Sequence, residues 1–294
     1  MSDLHQALQS AAEADQVSLP DLKQFSYRFK EVQDISPLRQ LKNISYLDLI
    51  GANIQDLTPL EELTNLEVLN LQYSRIIDLS PLKKLTKLVQ LDLGDNQLID
   101  ISPILELPAL RQLYLADNPI ENPEVLSQMN SLEGLNIGGI PAIKDFSFLK
   151  DFTQLNSLSL FRNQISDISF LEDLSELKWL CLNYNSIEDI SALASLKALD
   201  FLWLTENPIR DFSPLSELSL LTTLILEDNQ ITDLSFLEPL SSLSYLCLDG
   251  NEIEDLNPLI DLKQLKQLKL RGNPVRKDDP LLEKLKQQGL SIDI

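Results

Sequence analysis

The sequence predicts an α/β solenoid, and three observations carry that prediction. A Leu-x-Leu segment recurs every 22 residues. An Asn follows it at a constant distance, and an Asp-[Ile/Leu/Phe]-[Ser/Thr]-[Pro/Phe]-Leu signature follows the Asn. A fixed period of this size marks one coil per repeat, and each coil can bury its apolar side only against its neighbours. The stretch from Leu177 to Ile190 shows the unit. Moved by 22 residues, it places Leu199, Leu202, Leu204, Asn207, Ile209 and Asp211 in register, and moved again Leu221, Leu224, Leu226, Asn229, Ile231 and Asp233.

Taken in order, residues 2–14 predict a short amphipathic helix, capped by Ser2 or Asp3, with Leu4, Ala7, Leu8 and Ala11 as its apolar stripe. Its expected task is to cover the open apolar end of the first repeat, and Pro20 marks the entry to the array. Strand-like x-Leu-x-Leu-x segments are expected with their first apolar residue at Phe25, Leu47, Leu69, Leu91, Leu113, Leu135, Leu158, Leu180, Leu202, Leu224, Leu246 and Leu268. The interval is 22 throughout except for 23 between Leu135 and Leu158, and Leu290 with Ile292 continues the register as a thirteenth, partial strand.

Within a strand the period is two, so alternate side chains enter the solenoid. The Asn at 96, 118, 163, 185, 207, 229, 251 and 273 is placed to satisfy backbone groups that the turn leaves unpaired. Ser or Thr before Pro, as in Asp34-Ile-Ser-Pro-Leu38, reads as an N-cap with Pro at the first helical position, opening a short helical or 3₁₀ turn. At the far end Asp279-Pro280 starts a last helix with Leu281, Leu282 and Leu285 on its apolar face, and Gly289 suits the position after it. The expected organisation is one continuous domain. A cap spans residues 1–20, the repeats span 21–277, and a cap helix with a final short strand spans 278–294.

These residues resemble the leucine-rich repeat family in its 22-residue type. Asn163-Gln-Ile-Ser-Asp-Ile-Ser-Phe-Leu171 looks very like internalin repeats and is similar to the leucine-rich-repeat regulatory subunit of type-1 protein phosphatase. The resemblance covers nearly the whole chain. It implies a curved horseshoe of about 12 repeats, with a parallel sheet on the concave face and helical turns on the convex face. It also implies a bacterial protein that binds a protein partner on the concave face. It names no partner, because the matching residues are the structural ones.

Composition narrows the function. With 24 Lys and Arg against 45 Asp and Glu, the net charge is −21, which excludes the clustered basic surface that nucleic acid or anionic membrane requires. Residues Met1 to Leu8 lack a basic n-region and an apolar run, so no secretory signal is expected, in contrast to internalins. Cys181 and Cys247 share a slot three repeats apart, roughly 14 Å at the usual strand spacing, too far for a disulfide. A cytoplasmic location follows as the expectation, with the protein monomeric when alone.

The residues flanking the strand leucines are expected to face outward on the concave sheet, free of the repeat's demands. Early repeats place mostly polar residues there; the later ones place Phe161, Trp179, Phe201, Trp203 and Tyr245, with Tyr184 in the following turn. Glu206, Glu227, Asp228 and Asp249 rim this aromatic patch. An aromatic centre with a charged border has the composition of an interaction hot spot, and the acidic rim favours a partner with a basic surface. Cross-strand aromatic pairing that merely stabilises the sheet is the structural alternative.

Other readings are weaker. The Asp column at 34, 56, 78, 100, 145, 167, 189, 211, 233 and 255 reads as turn capping rather than a calcium ladder. Gly134, Gly138, Gly139 and Pro141 make repeat six irregular, as a bend, a bare patch or an insertion. His5 is the only histidine and there is no phosphate loop, so neither catalysis nor a metal or cofactor is expected. An internalin-like adhesin, a phosphatase-regulator scaffold, and a carbohydrate-binding protein or glycosidase using Glu227 and Asp249 are the competing functions.

Overall fold

The computed structural model describes residues 3–29, 31–32, 34–276, 278–287 and 289–294. The Ser2 cap lies outside these residues. The chain forms two compact units, Met1–Lys144 and Asp145–Ile294.

The first unit opens with helix α1, Asp3–Ala14. It buries Leu4, Leu8 and Ala12, one residue per turn. Ala12 takes the place expected of Ala11, and Ala7 and Ala11 lie half-buried along a groove shared with residues 24–28. Six parallel strands follow: β1 Gln24–Ser26, β2 Tyr46–Asp48, β3 Val68–Asn70, β4 Gln90–Asp92, β5 Gln112–Tyr114 and β6 Gly134–Asn136. Each pairs with the next in the 22-residue register, Phe25 opposite Leu47 and Leu113 opposite Leu135.

The second unit holds β7 Ser157–Ser159, β8 Trp179–Cys181, β9 Phe201–Trp203, β10 Thr223–Ile225, β11 Tyr245–Cys247, β12 Gln267–Lys269 and β13 Ser291–Asp293, again parallel and sequential. Helix α2, Pro280–Gln287, lies between β12 and β13 and buries Leu282 and Leu285. Ile292, not Leu290, stands opposite Leu268. The helix that replaces the last 3₁₀ turn lengthens the return by two residues, which moves the expected register.

The middle residue of every strand from β1 to β12 is buried. Leu180, Leu202, Leu224 and Leu246 are fully enclosed. Full burial of such a side chain is worth about 1.5–3 kcal/mol, and its repetition along the stack explains why a Leu-rich coil needs no other core.

Two polar columns close the backbone ledger of each coil. The Asn207 amide donates to the carbonyls of Leu182 and Leu204, both at 3.1 Å, and its oxygen accepts the Ile187 N–H of the preceding repeat at 3.2 Å. Asn96, Asn118, Asn229 and Asn251 repeat this pattern of donation to strand-end carbonyls. The second column bears out the Asp residues as turn caps and corrects the part given to Ser and Thr. Among the described residues the Ser and Thr that open the 3₁₀ turns make no side-chain cap; where the signature Asp is present, it supplies the cap from two residues earlier. Asp56 accepts the Thr58 N–H at 2.8 Å, and Asp189 and Asp211 do the same for Ser191 and Ser213 at 2.8 Å. Pro then sits one place later than expected, at the second position of the turn, where its missing N–H costs nothing.

A third column has no residue signature. The residue before each ladder position has φ between 52° and 75°, at 29, 51, 73, 95, 117 and 139 in the first unit and at 162, 184, 206, 228, 250 and 272 in the second. Only Gly51, Gly139, Gly250 and Gly272 are glycine. At Gly139 a Cβ would meet Asp117 Oδ1 at 2.2 Å, so this glycine of the irregular repeat serves the turn itself.

Candidate functional site

The aromatic residues of the second unit come from one strand position and its neighbours. Because β8 and β9 pair in register, Trp179 stands directly opposite Phe201. Their rings stack, with centroids 5.1 Å apart and planes 15° from parallel. Both are half-buried, as are Phe161, Trp203 and Tyr245, so each shows one side to solvent.

Trp203 is held by a relay. Its Nε1–H donates to Thr205 Oγ1 at 2.6 Å, the Thr205 hydroxyl donates to Glu227 Oε2 at 3.3 Å, and the Cys247 thiol donates to Glu227 Oε1 at 2.9 Å. Glu227 is thus clamped from β11 and from the segment just past β9 at once, and fixes the indole edge through Thr205. Neither Thr205 nor Cys247 was among the candidate residues of the sequence, since neither type marks a site without its partners.

The expectation that every flanking position faces freely outward is corrected here. Ser159, Cys181, Asn183, Thr205 and Cys247 are buried. Strands about 4.8 Å apart let large side chains of one strand roof the small ones of the next. The Cys181 thiol donates to Asn183 Oδ1 under this roof. Burial pushes the Cys181 thiol up, and burial together with the Glu227 hydrogen bond pushes that of Cys247 up to about 12. Both cysteines are free and protonated at neutral pH.

The sheet face is also drier than an open surface suggests. Burial is the main cause that raises the Asp249 carboxyl above its ordinary value, against the Arg271 N–H that it accepts at 2.7 Å. Ligand atoms of Glu227, Cys247 and Asp249 lie within 4.8 Å of one another. Among the described residues this is the cluster whose spacing would suit a cation, which would have to displace the proton that burial and Glu227 hold on the Cys247 thiol.

Tyr184, Glu206 and Asp228 occupy the left-handed column, with φ of 58°, 52° and 55°. All three are exposed, Tyr184 by 45%. For a residue with a Cβ this conformation costs about 1–2 kcal/mol, so these side chains stand where glycine would be easier. Next to them Gly250 makes room: a Cβ there would lie 1.9 Å from Asp228 Oδ1.

The margins of the patch carry cations. The Arg162 guanidinium sits 5.1 Å from the Phe161 ring centre, and Lys269 Nζ lies 5.7 Å from that of Tyr245. The structure therefore joins Trp179 to Phe201, Trp203 to Glu227 and Glu227 to Asp249. It sets Phe161 and Tyr245 at the two edges, and Tyr184, Glu206 and Asp228 in the adjoining turns.

Among the described residues no helix is long and apolar enough to cross a membrane. The sequence profile for leucine-rich repeats in two copies matches residues 64–106, 175–217 and 219–261. The chain is similar to the crystal structure of an internalin (inlF) from Listeria monocytogenes, with 32% identity over 99% of this chain and 87% of that one and a TM-score of 0.80. It is also similar to a leucine-rich repeat protein of Leptospira interrogans, with 24% identity over 88% and 74% of the two chains and a TM-score of 0.71. A plant peptide hormone receptor (RGFR1) in complex with RGF2 shares the fold at 21% identity, covering 92% of this chain and 49% of the receptor, with a TM-score of 0.61. No curated protein matches.

Proposed function

The chain belongs to the leucine-rich repeat family, with internalin-like repeats, and from that premise we propose that it is a non-catalytic protein-interaction module whose binding surface is the aromatic face of the second unit. The observation that carries the reading is the half-exposed Trp179–Phe201 stack beside Trp203, on a face whose outer turns hold exposed carboxylates. Large aromatic side chains already ordered by stacking and by the Thr205–Glu227 relay lose little entropy on binding, which is what an anchor residue requires. Glu206, Glu227, Asp228 and Asp249 favour a partner with a basic surface. Cytoplasmic residence of a monomer is part of the same proposal, in keeping with two free thiols.

A glycosidase role fits the geometry poorly. Glu227 is tied by the Thr205 hydroxyl and the Cys247 thiol rather than poised over a cleft. The stack also spends one face of each ring on the other, so neither the Trp179 nor the Phe201 ring offers a sugar both faces.

The test replaces Trp179 and Trp203 together by Ala and compares affinity-captured proteins by mass spectrometry. A specific partner lost by the double variant, with a melting temperature within a few degrees of the wild type, supports the module. Equal capture by both overturns it, and clean binding to one glycan class on an array would turn the reading to carbohydrate.

A further inference from the structure

We infer that the partner presents an arginine to this face, its guanidinium beside the Trp203 indole and forked to Glu227 and Asp249; this rests on the docking reading above. The first observation is an asymmetry along the aromatic row. The outer rings carry cations of the chain itself, Arg162 over Phe161 and Lys269 over Tyr245, whereas among the described residues the central rings of Trp179, Phe201 and Trp203 carry none. Aromatic faces on this sheet take cations, and the central ones are flanked by carboxylates.

The second observation concerns those carboxylates. Among the described residues Glu206, Glu227, Asp228 and Asp249 form no ion pair, although two cations stand on the next strand and its turn. Arg271 sends its guanidinium to Asp293, at 2.6 and 2.8 Å, and gives Asp249 only its backbone N–H. Lys269 is engaged at the Tyr245 ring. Glu227 and Asp249 therefore face each other within 4.8 Å without a close ion pair among the described residues, Lys269 and Arg271 acting on Asp249 only at longer range.

A planar guanidinium answers this arrangement better than an ammonium. It stacks on an indole and donates in a rigid fork to two carboxylates at once, and it gives up its hydration more readily than the compact, strongly hydrated ammonium.

The test uses the full chain and acetylated tetra-arginine, tetra-lysine and tetra-citrulline peptides, followed by tryptophan fluorescence at physiological salt. The arginine peptide should quench and bind about tenfold or more tighter than the lysine peptide, with the neutral citrulline peptide weakest. Glu227→Gln and Asp249→Asn should each weaken the arginine peptide several-fold. Glu254→Gln, which removes one exposed charge outside the patch, should not. Melting curves of the variants show that each is folded, and Asp249→Asn serves where Glu227→Gln disturbs the relay. Equal affinity for arginine and lysine, or indifference to both substitutions, would reduce the effect to general attraction by a chain of net charge −21 and overturn the inference. If no peptide binds while the Trp179 and Trp203 double variant still loses its protein partner, the arginine inference falls alone. If the double variant captures as the wild type does, the docking reading falls with it.

Discussion

The indole of Trp179 lies flat on the ring of Phe201, 5.1 Å between centres, because a parallel register with no offset sets the two residues opposite each other. A stack of this kind couples its members by about 0.5–1.5 kcal/mol beyond the area they bury. A double-mutant cycle with Trp179→Ala and Phe201→Ala, measured by urea unfolding, should return a coupling in that range. A coupling near zero would show that the rings are neighbours without being partners.

Tyr184 separates stability from binding. Its φ of 58° is one that glycine adopts without penalty, so Tyr184→Gly should leave stability unchanged or raise it by up to about 1 kcal/mol. The same change removes an exposed ring from the patch and should weaken partner binding. A stability loss above about 1 kcal/mol would mean that Tyr184 is held by packing and belongs to the fold.

Ser74 stands where the later repeats have the ladder Asn, and its hydroxyl is buried with no hydrogen-bond partner among the described residues. In the next repeat Asn96 donates to the carbonyls of Leu71 and Leu93 at 3.0 and 2.9 Å and accepts the Ile76 N–H at 3.0 Å. Ser74→Asn should restore these bonds one repeat earlier and stabilise the chain by about 1 kcal/mol. The converse Asn96→Ser should destabilise it by about 1–3 kcal/mol, since it orphans buried backbone groups. Both are read from denaturant midpoints at constant slope.

The Asp column sets the response to acid. Asp34, Asp100, Asp145, Asp189 and Asp233 are held below the ordinary carboxylate value chiefly by the backbone N–H of the Ser two residues on, and Asp78 chiefly by the Ser80 hydroxyl. A group whose folded value lies below its unfolded one stabilises the fold above the unfolded value, about 3.9 for Asp. That stabilisation is lost as pH falls through the lower folded value. Asp92 and Asp249 work in the opposite sense, raised by burial, so their protonation favours the fold. The column outnumbers them. The melting temperature should fall steeply on acidification below about pH 4, and a melting temperature flat down to about pH 2.5 would refute the capping role.

Asp249 gives the local counterpart. Because its carboxylate is penalised by burial at neutral pH, Asp249→Asn should hold or raise the melting temperature at pH 7 while it weakens the basic partner. A fall in the melting temperature would show that the Arg271 N–H needs the charge and not merely the oxygen.

Much of this protein follows from its periodicity. Leu202, Asn207 and Asp211 recur at 22 residues because every coil meets the same neighbours, so strand, ladder and cap could be placed from residue types alone. The two helices were equally plain from their apolar faces. Register failed at β13, where α2 replaces a turn and makes Ile292 the partner of Leu268. The Asp column was legible as turn capping, and Asp189 and its equivalents fill that role from two residues away; only the N-cap place given to Ser and Thr failed, since they stand at the first position of the turn.

The sequence by itself determined the solenoid, its repeat, its polar columns and the strand positions at which the aromatic residues stand. All of these are local patterns multiplied by repetition. The tertiary structure decided what those positions do. Neighbouring strands bury Thr205 and Cys247, link Trp203 to Glu227, and, among the described residues, leave the central carboxylates without a close ion pair while the Arg271 guanidinium and Lys269 are engaged at Asp293 and Tyr245. The left-handed column that carries Tyr184, Glu206 and Asp228 was likewise invisible, since the coil imposes that conformation on whatever residue occupies the slot. The bonds of Glu227 to Thr205 and Cys247 join residues 22 and 20 apart in the chain, and only stacking the coils brings them within hydrogen-bonding distance.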